Sequence, residues 1–152
     1  MKRRPTSTLP PDLALCRVTD IGKVFETGVP VTFDYMRNTE RAPDFGPRFG
    51  QDIEPTGRYM VAVPTRHYSP PRGWKRGRAH FRKPLVLALT TDPDAIYGPQ
   101  GWKARLQRTF GAKGAALSCE LRKLGYDGIV TCGENDTREI VDLRAIRCPV
   151  RR

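Results

Sequence analysis

Long apolar runs are missing from this 152-residue chain. No stretch approaches the roughly 20 apolar residues that cross a bilayer, and residues 1–8 are basic and Ser/Thr/Pro-rich, with no apolar stretch of the signal-peptide kind. Neither a membrane protein nor a secreted one is expected, and the chain reads as cytoplasmic. Cysteine is sparse: Cys16, Cys119, Cys132 and Cys148 lie far apart with no Cys-x-x-Cys pair. That spacing speaks against a zinc site and against a disulfide framework, and predicts free, mostly buried thiols. Histidine is rarer still, His67 and His80 only, and neither has a cysteine or carboxylate at metal-ligand spacing, so no metal is expected. Acidic residues are in deficit, 16 against 27 Lys and Arg, for a net charge of +11. The imbalance favours polyanionic partners, nucleic acid or a phosphate-bearing ligand, over membrane or metal, or else reflects only a soluble basic surface. Internal repeats are absent. With 38% hydrophobic residues the chain is long enough for one core and too short for two, giving a flexible basic lead at 1–11 and a single domain at 12–152.

What is present reads as alternating strands and turns, then helices. Residues 13–18 predict a first strand, with Thr19-Asp20 capping a turn or short helix. From 28 to 54 the pattern loses period around Pro30, Pro43, Gly46, Pro47 and Gly50. Five acids (Asp34, Glu40, Asp44, Asp52, Glu54) face three arginines there, so a long loop or a broken helix near Phe33 is expected, one that could close over a ligand. Residues 57–63 form a good strand, and 79–89 another with Pro84 at an edge or bulge. Residues 101–110 and 113–124 read as two helices. The second carries Leu117, Leu121 and Leu124 on one face and ends at Gly125, a C-cap glycine that turns the chain back to the sheet.

Between the two middle strands, residues 66–83 carry Arg66, Arg72, Lys75, Arg76, Arg78, Arg82 and Lys83 with both histidines and no acid. Trp74 sits in the middle. Cations neutralise phosphates and a ring stacks on a base for about 1 to 3 kcal/mol, so Arg72, Trp74, Lys75, Arg76 and Arg78 are the candidate polyanion-binding residues. The competing reading is a solvated hairpin tip whose tryptophan packs back on the domain.

The last third is the most pointed. Gly125-Tyr126-Asp127-Gly128-Ile129-Val130 reads as turn then strand, residues 133–136 as a hairpin loop, and Thr137-Arg138-Glu139-Ile140-Val141 as a strand with a carboxylate near its start. Acidic groups are depleted in strands and costly inside a sheet unless they meet water, a partner or a ligand. Glu139 is therefore either a chemical group or one half of a pair with Arg138, Arg144 or a lysine. Asp127, beside a glycine at a strand entrance, reads as a turn former.

These residues carry a resemblance. Leu124-Gly125-Tyr126-Asp127-Gly128-Ile129-Val130, a polar loop, then Thr137-Arg138-Glu139-Ile140-Val141-Asp142-Leu143 and Arg144-Ala145-Ile146 are similar to the C-terminal end of small ADP-ribosyltransferase-like domains of phages and bacterial toxins. Lys83-Pro84-Leu85-Val86 resembles the strand those domains carry ahead of a helix pair. Leu15-Cys16-Arg17-Val18-Thr19-Asp20 resembles their first strand, and Gly57-Arg58-Tyr59-Met60 the strand of the branch whose second motif residue is tyrosine. Arg17, Tyr59 and Glu139 follow the family's order. The resemblance implies an α+β fold, a split β-sandwich with flanking helices and NAD in the cleft between sheets. It implies Glu139 as the catalytic carboxylate, Tyr59 stacking on nicotinamide, and Arg17 holding the adenosine-side ribose or the diphosphate. The implied activity is mono-ADP-ribosyl transfer to a protein or nucleic-acid acceptor, in the host cytoplasm if the protein is phage-encoded or delivered.

The chemistry asks for the same residue types. Cleaving the nicotinamide–ribose bond develops oxocarbenium character, which a carboxylate stabilises, and the neutral leaving group needs no second acid. Family members that modify arginine usually carry Glu, some others Gln, where this chain has Thr137, so arginine is not the expected acceptor; plain NAD hydrolysis stays open. Tyr59 packing into the core and Arg17 as an exposed strand residue are the bland counterparts. The rival functions are a non-catalytic basic module that binds RNA or DNA through Arg72 and its neighbours, and a small nuclease using Glu139 with His67 or His80.

Overall fold

The computed structural model describes residues 17–20, 23–38, 53–63, 68–88, 101–132 and 137–149. The lead at 1–11, most of the acidic loop, His67 and the hairpin loop at 133–136 lie outside them. The fold is mixed α+β. Among the described residues eight strands run β1 (Arg17–Asp20), β2 (Lys23–Glu26), β3 (Val31–Asn38), β4 (Arg58–Ala62), β5 (Trp74–Phe81), β6 (Pro84–Ala88), β7 (Gly128–Cys132) and β8 (Thr137–Asp142). Helices α1 (Trp102–Phe110) and α2 (Gly114–Lys123) separate β6 from β7, and a 3₁₀ turn (Leu143–Ala145) follows β8.

β1 and β2 form a two-stranded ribbon, and the other six strands form one sheet in the order β5-β3-β4-β8-β7-β6. Within that sheet only β6 and β7 pair in parallel. A parallel pair needs a long crossover, and α1 with α2 supplies it. Side chains alternate between two cores. Leu85, Leu87, Ile129 and Val141 face the helices and meet Trp102, Leu106, Leu117 and Leu121. Val86, Val130, Ile140, Met60 and Phe81 face the other way and meet Phe25 and Phe33, whose rings stack 5.5 Å apart. Burial on both sides explains the near-continuous apolar runs of β6 and β7, each large side chain contributing about 1.5 to 3 kcal/mol.

The ribbon also closes an edge. The Thr27 hydroxyl accepts from the Val86 N–H at 2.9 Å and donates to the Val86 carbonyl, and the Gly28 N–H donates to the Pro84 carbonyl at 2.8 Å. Pro84, which has no N–H to offer, opens β6 on this edge as expected. Asp127 proves structural: its carboxylate accepts the backbone N–H groups of Arg82 (2.7 Å) and Lys83 (3.1 Å), fixing the bend between β5 and β6.

Four expectations are corrected. Residues 31–38 are a strand, not a loop or broken helix, because Val31, Phe33 and Tyr35 alternate with polar residues and pack on the second core. Thr19 and Asp20 belong to β1, which runs on to Asp20. The expected strand at 79–89 falls on two strands, and the expected basic loop is strand from Trp74 to Phe81, as β5. Cys119 and Cys148 form a disulfide with Cα atoms 5.5 Å apart, while Cys132 is buried as expected; the 29-residue separation hid a pairing that only the docking of the C-terminal segment on α2 creates.

Candidate functional site

The site grows from the pairing of β4 with β8. Tyr59 stands opposite Val141 and Val61 opposite Glu139, and directly paired residues share a face, so all four look toward the helices. β8 carries one residue more between Thr137 and Ile140 than β7 does between Val130 and Cys132, a bulge that contains Glu139. Bulges re-aim a side chain and end regular pairing. The fully buried Thr131 stabilises this one through its hydroxyl, which donates to the Glu139 carbonyl at 2.8 Å.

Lys103 enters from the first turn of α1. Its Nζ lies 2.7 Å from Glu54 Oε2 and 3.7 Å from Glu139 Oε2, with the lysine side chain 7% exposed and the two carboxylates 24% and 32%. The same ammonium sits 5.6 Å from the ring centroids of Tyr59 and Trp102. Glu54 is held firmly. Its carbonyl accepts the Gly114 N–H at 3.1 Å, the Thr56 N–H donates back to Gly114 at 3.3 Å, and Ser118 Oγ donates to the Thr56 carbonyl at 2.6 Å. The Tyr59 hydroxyl closes the cluster by donating to the Pro55 carbonyl at 2.6 Å.

Electrostatics follow from burial. Loss of water raises the Glu139 pKa above the ordinary glutamate value, Glu54 pushes it further up, and Lys103 opposes both. Burial raises the Tyr59 pKa strongly, with Glu54 and Glu139 adding to it. A partly dry carboxylate that keeps one-third of its surface open is placed to meet a hydroxyl or a developing positive charge, where low dielectric strengthens attraction.

Of the residues expected from sequence, the structure brings Glu139 and Tyr59 together. Arg17 pairs with Glu26 in the ribbon, whose β1 packs on β6 and β7 in the layer across the sheet from the helices. Arg72 is exposed in the turn before β5, Trp74 half-buried at its start, and Lys75, Arg76 and Arg78 exposed along it. Arg76 donates to the Tyr68 carbonyl at 2.9 Å, and Arg78 pairs with Asp34 at 3.2 Å. His80 lies 2.7 Å from the Thr32 hydroxyl, on a strand three away from Glu139.

Sequence reasoning missed Lys103 and Glu54. The signal for Lys103 was a cation beside Trp102 and three residues before Leu106 on the apolar side of a helix; for Glu54 there was none, because its partner is 49 residues away. Among the described residues no group of histidine, cysteine and carboxylate side chains gathers as a metal site, and no helix is long and apolar enough to cross a membrane. Comparison with family models, curated proteins and solved structures finds no match.

Proposed function

We propose that this chain is an NAD-dependent ADP-ribosyltransferase, cleaving NAD at the nicotinamide–ribose bond and passing ADP-ribose to a macromolecular acceptor. The observation that carries the reading is Glu139: a carboxylate in a bulge, partly desolvated, beside a buried lysine and sharing its face with Tyr59. The donor set suits the substrate. Glu139 holds a ribose hydroxyl and faces the positive charge that builds on the sugar, and the neighbouring Tyr59 offers ring surface for nicotinamide. Lys103, itself held by Glu54, fixes the carboxylate and favours its ionised form against the effect of burial, so that it needs little reorganisation during the reaction. NAD supplies the activated glycosidic bond. The α+β architecture, with a ribbon packed on a larger sheet, is compatible with the split sandwich of the resembled family; Arg17 is assigned to the diphosphate by that resemblance alone, and because it lies in the layer across the sheet from Glu139 the reading does not rest on it.

A second reading, a basic nucleic-acid-binding module without catalysis, draws support from the exposed cations of β5. The two separate cleanly. With labelled NAD, Glu139→Gln is expected to lower nicotinamide release by about 100-fold or more while the protein stays folded; release by neither protein, in buffer or in cell lysate, promotes the binding module.

A further inference from the structure

The strand register links Glu139 to the basic strand. Arg76 stands opposite Met36, Met36 opposite Val61, and Val61 opposite Glu139, so the four form one row across β5, β3, β4 and β8. Paired residues share a face, and alternation adds Trp74, Arg78 and His80 to it. Lys75, Gly77 and Ala79 point to the other face. At about 4.8 Å per strand the row spans about 14 Å. The helix-side core takes its sheet residues from β6, β7, β8 and Tyr59, and no described residue of β3 or β5 belongs to it. Glu139 thus stands where the helix layer ends, with Val61 and Met36, both half-buried, leading outward to the cations.

We infer that this face of β3 and β5 is the acceptor track for a single-stranded nucleic acid, its phosphates on Arg76 and Arg78 and a base on Trp74, leading a nucleotide to Glu139. Charge complementarity identifies the occupant. The face carries Arg76, Arg78 and His80 against the single acid Asp34, with exposed Arg72 and Arg82 at its ends. Asp34 takes Arg78 at 3.2 Å, but these side chains are 74% and 49% exposed, and so open a pair opposes phosphate binding little. Cations strung along a strand at about 6.8 Å intervals beside a half-buried tryptophan suit a phosphodiester backbone with stacked bases. The acceptor role rests on the NAD reading; the binding does not. In the transfer, the bond from nicotinamide nitrogen to ribose carbon breaks and its electron pair leaves with nicotinamide. An oxygen or nitrogen of the nucleic acid bonds to that carbon, and its proton passes to water.

The test uses the full chain with a fluorescein-labelled, mixed-sequence single-stranded RNA and the same sequence as DNA, read by anisotropy across a salt series. Arg76→Ala is expected to weaken binding roughly 5- to 10-fold and to lower the salt slope by about 1, and Trp74→Ala to weaken it about 10-fold. Lys75→Ala is the matched control: same strand, opposite face. Equal losses from Lys75→Ala and Arg76→Ala, no loss from either Arg76→Ala or Trp74→Ala, or equal competition by polyglutamate overturns the track. With labelled NAD, label on the oligonucleotide or on total cellular RNA or DNA, lost in Glu139→Gln, supports the acceptor assignment. Nicotinamide release with label on protein alone overturns that assignment. Absence of nicotinamide release is a failure of the NAD reading instead, and leaves the track to be decided by the face-selective binding.

Discussion

Glu139 is a charge whose environment disagrees with its chemistry, and the disagreement is testable by pH. Burial raises the Glu139 pKa, so the folded protein favours the neutral carboxyl. The stabilisation this implies is complete below the unfolded-state value and is lost as pH rises through the higher folded value. Glu139→Gln removes the penalty of ionisation. Its stability relative to wild type is expected to improve above the folded pKa and to be level below the unfolded one, as measured by denaturant midpoints along a pH series. Catalysis needs the opposite form, so the acid limb of nicotinamide release belongs above the ordinary glutamate range. Because Lys103 holds that pKa down, Lys103→Met is expected to move the limb further up and to cost about 1 to 3 kcal/mol, since Glu54 and Glu139 lose their shared cation. Glu139 was legible in the sequence as a carboxylate at a strand start. Its bulge and its lysine were not, because both depend on elements 36 or more residues apart from it in β4 and α1 or on an irregular pairing.

The elements behave according to what each packs against. The Phe81 ring packs so closely on the Gly128 backbone that a Cβ there would overlap it. Gly128→Ala is expected to destabilise by about 1 to 3 kcal/mol, with a matching fall in the urea midpoint and an unchanged slope. α2 ends with Gly125 at φ +93°, as its place after the last leucine predicted. The same helix holds Cys119 and ties the C-terminal segment by the disulfide to Cys148, reinforced by Arg122 donating to the Ile146 carbonyl at 2.8 Å. In the chain-entropy view a loop of this length stabilises by about 3 to 4 kcal/mol. Reduction, or Cys148→Ser, is expected to lower Tm by on the order of 10 °C in a thermal melt. Persistent disulfides belong to oxidising compartments, which bears on the cytoplasmic expectation drawn from sparse, scattered cysteines. β3 was the misread element: Val31, Phe33 and Tyr35 showed the period of two, but Pro30, Pro43 and the clustered acids around them masked eight residues of strand inside a breaker-rich segment.

At the scale of the molecule, charge and layering divide the labour. The six-stranded sheet separates a helix layer from a ribbon layer, and the candidate carboxylate sits where the helix layer stops. A net charge of +11 makes association with any polyanion steep in salt. The charge alone names no face; the register of β5 is what singles out the one proposed for binding. From the sequence by itself came the α+β class, strand β4, the apolar β6 and β7, both helices and the singling out of Glu139, because period, capping glycines and an acid in a strand are local signals. Only the tertiary structure decided that β5 is a strand, that Arg17 and Glu139 occupy opposite layers, that Lys103 and Glu54 join the site, and that Cys119 meets Cys148. Each of those depends on which distant segments pair and on which side of the sheet they fall. A shift of one residue in strand pairing would reverse the faces without changing any local pattern.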